Sequence, residues 1–250
     1  MRQALYSPGN SFLQWFRNET NQHGLATALR KALALLWQFW RESLPDRRRQ
    51  RYGDVDFDWD HRVDTTSATL GWRDRLLGFF HSPYQPSEPV LFHEMVAKLD
   101  IDFRKFVFAD IGSGKGRALL MAADYPFHKI IGVELLPELH RIAEENIRKY
   151  KSDSRRCFEI QALCADACDF VFPPEPLVIY LFNPLPEAGL ATLLANLERS
   201  LAEKPRRVVV LYHNPLLEQA LTSRRWLQKI RGTHQYSIYT ADPSSIVRKG

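Results

Sequence analysis

From residue 105 onward, apolar and β-rich runs recur along the chain: FVFADI (106–111), KIIGVEL (129–135), CFEIQAL (157–163), PLVIYLF (176–182) and RRVVVLY (206–212). Stretches with helical spacing at 116–125, 137–150 and 187–202 separate most of them. Short apolar runs alternating with helices predict a parallel sheet covered on both faces. The last two runs differ. WLQKIRG (226–232) and HQYSIYT (234–240) have almost nothing between them, and so short a connector permits only an antiparallel hairpin. The pattern therefore predicts an α/β fold with a doubly wound, mostly parallel seven-stranded sheet that ends in a C-terminal antiparallel hairpin.

Upstream, the pattern is looser. Residues 25–44 carry an apolar stripe at Leu25, Ala28, Leu29, Ala32, Leu33, Leu36, Trp37 and Trp40, which predicts an appended helix lying on the core or on a partner. Residues 45–65 read as an irregular, charge-rich connector, and Gly71 to Phe80 as a short helix. HSPYQPSEP punctuates with three prolines, and a helix from about Glu88 to Leu99 leads into the core. The expected organisation is an N-terminal helical appendage with its connector (1–65), pre-core helices and a cofactor-covering loop (66–104), and a core (105–250).

Composition narrows the class. A chain of 250 residues that is 45% hydrophobic and 25% charged buries a core without staples. Cys157, Cys164 and Cys168 make neither a disulfide framework nor the paired spacing of a zinc site. No metal is expected, and a reducing cytoplasm is. There is no apolar run of about 18 residues and no signal-like N-terminus. The formal charge of +5 is concentrated at Arg47, Arg48, Arg49 and Arg51. Such a run touches nucleic acid or anionic lipid in some proteins, but a solvated linker is the default reading. No clear nucleic-acid partner is expected, and neither is peripheral membrane contact through the N-terminal helix.

The chemistry centres on FADIGSGKGRALL (108–120), where three glycines fall within five positions between a strand and a helix. Such a turn cradles a cofactor at the carboxyl edge of a sheet. The dinucleotide fingerprint needs Gly or Ala at position 117, which here is Arg117, and the triphosphate pattern fails because Gly116 follows Lys115. Glu134 ends the next strand, where a carboxylate offers two acceptor oxygens to the hydroxyls of a ribose. Asp166 follows the third strand; it serves either an adenine amine or an Asx turn or helix cap.

FADIGSGKGR, IIGVEL, CAD and YLFNPLP, in this order, resemble the class I S-adenosylmethionine-dependent methyltransferases over about residues 105–240. The nearest likeness is to uncharacterised bacterial members that resemble lysine methyltransferases without a SET domain. The resemblance implies S-adenosylmethionine as cofactor and S-adenosylhomocysteine as product. It implies that Gly112, Ser113, Gly114 and Gly116 pass close to the methionyl end, with Asp110 near its ammonium. Glu134 would hold the ribose, Leu135 would pack on adenine, and Asp166 would meet the adenine amine.

Asn183, in LFNPLP, resembles the asparagine of the Asn-Pro-Pro-aromatic motif of amine and amide methyltransferases, with Leu185 and Pro186 departing from it. It is expected to line both the cofactor and the acceptor; the alternative is a strand-ending turn. Tyr84, in YQPSEPVLF, is similar to the Tyr-x-Pro-Thr segment of the lysine enzymes and is the second expected catalytic residue; the alternative is a stiffened loop with a buried tyrosine. His213 and Asn214 are further candidates for substrate contact. The expected acceptor is an amine nitrogen, a protein lysine among the candidates. The alternatives are a small-molecule methyltransferase and a non-catalytic S-adenosylmethionine-binding regulator or scaffold. A nicotinamide dehydrogenase is disfavoured by Arg117 and by the terminal hairpin.

Overall fold

In the computed structural model, which describes residues 55–66 and 85–241 together with positions 20, 24, 25, 27, 29 and 30, the apolar runs form seven strands. They are β1 Val107–Ile111, β2 Lys129–Glu134, β3 Ile160–Cys164, β4 Leu177–Leu181, β5 Val208–His213, β6 Leu227–Gly232 and β7 Tyr236–Ala241. The helices among the described residues are α1 Val55–His61, α2 Pro89–Ala97, α3 Arg117–Ala122, α4 Pro137–Lys149, α5 Glu187–Glu203 and α6 Glu218–Thr222. Short 3-10 turns at Phe103–Lys105 and Ala167–Asp169 complete them.

The sheet order is β3-β2-β1-β4-β5-β7-β6. Strands β1 to β5 pair in parallel and β7 runs antiparallel to both β5 and β6, as the short final connector requires. The order in which strands are added reverses beside β1, and that switch point is where an open α/β sheet presents its ligand crevice.

Burial explains the pattern. Every residue of β1, β4 and β5 is buried, which fits apolar runs without polar alternation. One face packs Leu190, Leu193, Leu194, Leu197 and Leu201 of α5 against alternate residues of β1, β4 and β5. The other face packs α2 and α3 through Phe92, Met95, Leu119 and Leu120 on Phe108, Tyr180 and Leu211. The β6 edge is exposed beyond Leu227, and its Lys229 and Arg231 discourage strand addition.

Three expectations change. β3 starts at Ile160 rather than Cys157, because the amides of Arg156 and Cys157 both donate to the carbonyl of Ala123 at 2.7 and 2.9 Å. That carbonyl closes α3, so the helix expected through residue 125 ends at Ala122. The connector expected over 45–65 contains α1, followed by a segment bonded into the core as described below. Residues 71–80 and Tyr84 lie outside the described residues. Of the stripe at 25–44, positions 25, 27, 29 and 30 are described, all helical. Among the described residues, no helix is long and apolar enough to cross a membrane, and no cluster of His, Cys, Asp and Glu has the makings of a metal site.

Candidate active site

Parallel pairing in this order brings the carboxyl ends of five strands into one row. From β3 to β5 the row reads Asp166, Glu134, the glycine loop, Asn183–Pro184, and His213–Asn214. At a spacing of about 5 Å per strand, it runs roughly 20 Å. Residues separated by a hundred positions thus share one edge.

The glycine loop is built by close approach. Gly112 has φ 78°, and a Cβ there would lie 2.5 Å from Cβ of Pro184, so the loop rests directly on the turn that follows β4. Gly132 in β2 leaves room for Ser113, whose Oγ would be 2.8 Å from a Cβ at that position. That hydroxyl is buried without a partner among the described residues. The loop amides are spent inside the fold. Those of Gly112 and Ser113 donate to the Val133 carbonyl (2.8 and 3.0 Å), that of Gly116 donates to the Ser113 carbonyl (2.8 Å), and that of Gly114 to Glu134 Oε2 (2.8 Å). These four amides are therefore not available to a phosphate.

Asp110 points the same way. It is 3% exposed, and no described residue donates a hydrogen bond to its carboxyl group. Burial, and then the charge of Glu134, push its pKa up to about 8. A buried acid without a counter-charge is costly, and an ammonium group placed against it would relieve the cost. Glu134 is also buried, at 7% exposure. Its Oε2 and Oε1 accept from the amides of Gly114 and Leu136, each at 2.8 Å. Burial raises its pKa while these backbone donors oppose the rise. Each oxygen keeps a second lone pair, so the carboxylate is held in place with capacity left for two hydroxyls.

The remaining expected residues divide. Leu135 is half-buried at the mouth beside Glu134. Asp166 takes the role of a cap, accepting from the Cys168 amide at 2.8 Å. Asn183 has φ 46°, and both ends of its side chain are engaged. Its Oδ1 accepts from Tyr212 Oη (3.0 Å) and its Nδ2 donates to the Asn214 carbonyl (2.7 Å). The amide thus braces the β4 turn to the β5 turn, while Oδ1 keeps a second lone pair.

Two features were missed. The segment after α1 reaches the back of the glycine loop: Lys115 Nζ lies 2.6 Å from Asp64, and Arg117 donates to Thr65 (2.6 Å) and Thr66 (2.8 Å) and pairs with Asp58 at 3.4 Å. Asp58 also accepts from the Thr65 hydroxyl and from the amides of Thr65 and Thr66. Both basic residues of GSGKGR are 2% exposed and turned away from the crevice. The second is a buried polar string in which Tyr180 Oη lies 2.9 Å from Ser87 Oγ and 2.8 Å from His213 Nδ1.

No family model matches the chain, and no curated protein matches its sequence. Among solved structures, it is similar to a ribosomal protein L11 methylase from Lactobacillus delbrueckii subsp. bulgaricus, at 18% identity over 62% of this chain and 76% of that one, with a TM-score of 0.40. It is also similar to an RNA methyltransferase from Salinibacter ruber in complex with S-adenosyl-L-homocysteine, at 17% identity, 63% and 92% coverage, and a TM-score of 0.41. A precorrin 8w decarboxylase from Methanobacterium thermoautotrophicum is similar at 15% identity, 64% and 92% coverage, and a TM-score of 0.41. Likeness at this level assigns no reaction.

Proposed function

We propose that this protein is an S-adenosylmethionine-dependent methyltransferase acting on a nitrogen of its acceptor. The observation that carries the reading is the pair of buried carboxyl groups at the ends of neighbouring strands. Asp110 is without a donor among the described residues, and Glu134 is fixed by two amides. One suits an ammonium and the other a ribose. Their alignment across β1 and β2 matches a nucleoside joined to an amino acid without any phosphate between.

When bound, S-adenosylmethionine supplies a methyl carbon activated by sulfonium. The chain's own residues then have to orient the two reactants and exclude water. Asp110 holds the amino group, Glu134 the ribose, and Leu135 and Asp166 flank the adenine. Gly112 lets the loop rest on Pro184, so a methionyl end held by this loop would lie beside the β4 turn. The nitrogen acceptor rests on the likeness of that turn to the motif of amine and amide methyltransferases. A lysine among such acceptors would arrive as an ammonium of pKa about 10.4 and would have to lose its proton first. Tyr84 is retained in the proposal as a residue of the acceptor side.

Calorimetry tests the cofactor. S-adenosylhomocysteine is expected to bind and NAD is not; the reverse result removes the reading. Glu134→Ala is expected to weaken S-adenosylhomocysteine by at least about tenfold, because two hydrogen bonds to the ribose go. Methyl-tritiated S-adenosylmethionine added with the protein to a cell lysate identifies the acceptor when protein, nucleic acid and small molecules are counted separately. Binding without transfer of label to any fraction would favour a regulator or scaffold.

A further inference from the structure

Beside Asn183, the row holds a second polar group close to the β4 turn. His213 is the last residue of β5 and is 5% exposed. Its ring stacks on Phe182, with centroids 4.1 Å apart and planes inclined by 13°, and Phe182 directly precedes Asn183. By the β4–β5 register, which pairs Leu181 with Tyr212, Phe182 and His213 are neighbours at the rim. The histidine therefore flanks the turn on which the glycine loop rests.

A proton arrangement in which Tyr180 Oη donates to Ser87 Oγ leaves one ring nitrogen of His213 bare. The contact of Tyr180 with His213 is then a bond from Nδ1–H to the phenolic oxygen. A neutral imidazole with a proton on Nδ1 has none on Nε2. That nitrogen has no hydrogen-bond partner among the described residues. Burial pushes the ring pKa down to about 4, so the lone pair persists through the neutral range.

We propose that His213 seats the methyl acceptor, its bare Nε2 accepting a hydrogen bond from an N–H or O–H of the substrate. This rests on the methyltransferase reading and narrows it to an acceptor that still carries a hydrogen on the reacting or neighbouring atom. The ring is a weak base in this setting, so it orients a nitrogen that arrives uncharged. Ser87 and Tyr180 are positioning residues that act through the tautomer.

The test begins without any acceptor. Nitrogen NMR of the full chain labelled at histidine is expected to show His213 protonated on Nδ1 and bare on Nε2. Protonation on Nε2 instead overturns the proposal while leaving the cofactor reading intact. Ser87→Ala removes the acceptor of the tyrosine proton, which then turns to Nδ1; the tautomer is expected to invert. In lysate labelled from methyl-tritiated S-adenosylmethionine, His213→Ala and Ser87→Ala are each expected to reduce incorporation about tenfold, with S-adenosylhomocysteine affinity within about twofold of the parent chain. Undiminished labelling by His213→Ala, or a loss of S-adenosylhomocysteine binding in it, overturns the assignment. A parent chain that has the expected tautomer but binds no S-adenosylhomocysteine removes the methyltransferase reading, and this role with it.

Discussion

At the scale of single residues, Asp110 is a buried acid that costs the protein stability. Its carboxyl group is buried with no donor, and its pKa stands at about 8 against an ordinary 3.8. The native state therefore holds a proton there that the unfolded chain has already lost, and stability falls as pH rises through that window. Asp110→Asn is expected to raise the melting temperature at pH 8 and to weaken S-adenosylhomocysteine at least about tenfold, since a charged hydrogen bond is lost. Differential scanning calorimetry and titration check the two arms. Proton release on binding near neutral pH, read by titration in buffers of different ionisation enthalpy, is a further expectation, because an ammonium beside Asp110 favours the carboxylate. Gly112 gives a second test. Alanine there meets both a positive φ and Pro184, so Gly112→Ala is expected to destabilise the fold by about 2 kcal/mol or more, measured by urea unfolding.

At the scale of elements, the informative case is the segment from α1 to Thr66. Its sequence, DVDFDWDHRVDTT, alternates charged and aromatic residues and shows no helical stripe of useful length. Its conformation comes from partners more than fifty residues away. Asp58 gathers Thr65, Thr66 and Arg117, while Asn146 of α4 accepts from the Asp64 amide at 2.9 Å and donates to the carbonyls of Asp64 and Lys115 at 2.8 and 3.0 Å. This strut holds the glycine loop from behind. Arg117→Met keeps the bulk but removes the guanidinium's bonds to Thr65 and Thr66 and its pairing with Asp58, and breaking such a buried pair costs about 3 kcal/mol or more. A lowered urea midpoint is expected, with weaker S-adenosylhomocysteine binding as the loop loosens; an unchanged midpoint would show that the strut carries no load. By contrast α5 was legible from its leucines alone, because a long helix over a sheet has one face to bury and repeats that face every turn.

At the scale of the whole molecule, Asp110 and His213 make the fold respond to pH in opposite senses. His213 is neutral in the native state down to about pH 4, against an ordinary 6.5; its contribution is present above 6.5 and is lost as pH falls towards 4. Asp110 works against stability from 3.8 up to about 8. Between about 6.5 and 8 only the acid still titrates of these two, so the melting temperature of the free protein is expected to decline there. Saturating S-adenosylhomocysteine is expected to remove that decline, and a ligand-independent slope would argue against an ammonium at Asp110.

The sequence by itself determined the sheet, its terminal hairpin and the loop after β1, because runs of buried strand residues, short connectors and clustered glycines are local signals. It also placed Asp110 and Glu134 at strand ends, since a strand end is marked by where its apolar run stops. Only the tertiary structure decided what each polar side chain bonds to. Asn183 became a brace, Arg117 the anchor of a strut, and His213 a partner of Tyr180, each through groups on other elements. The physical reason is that a hydrogen bond depends on which groups the packed strands bring within about 3 Å, and that proximity is set by the strand order, not by neighbours in the chain.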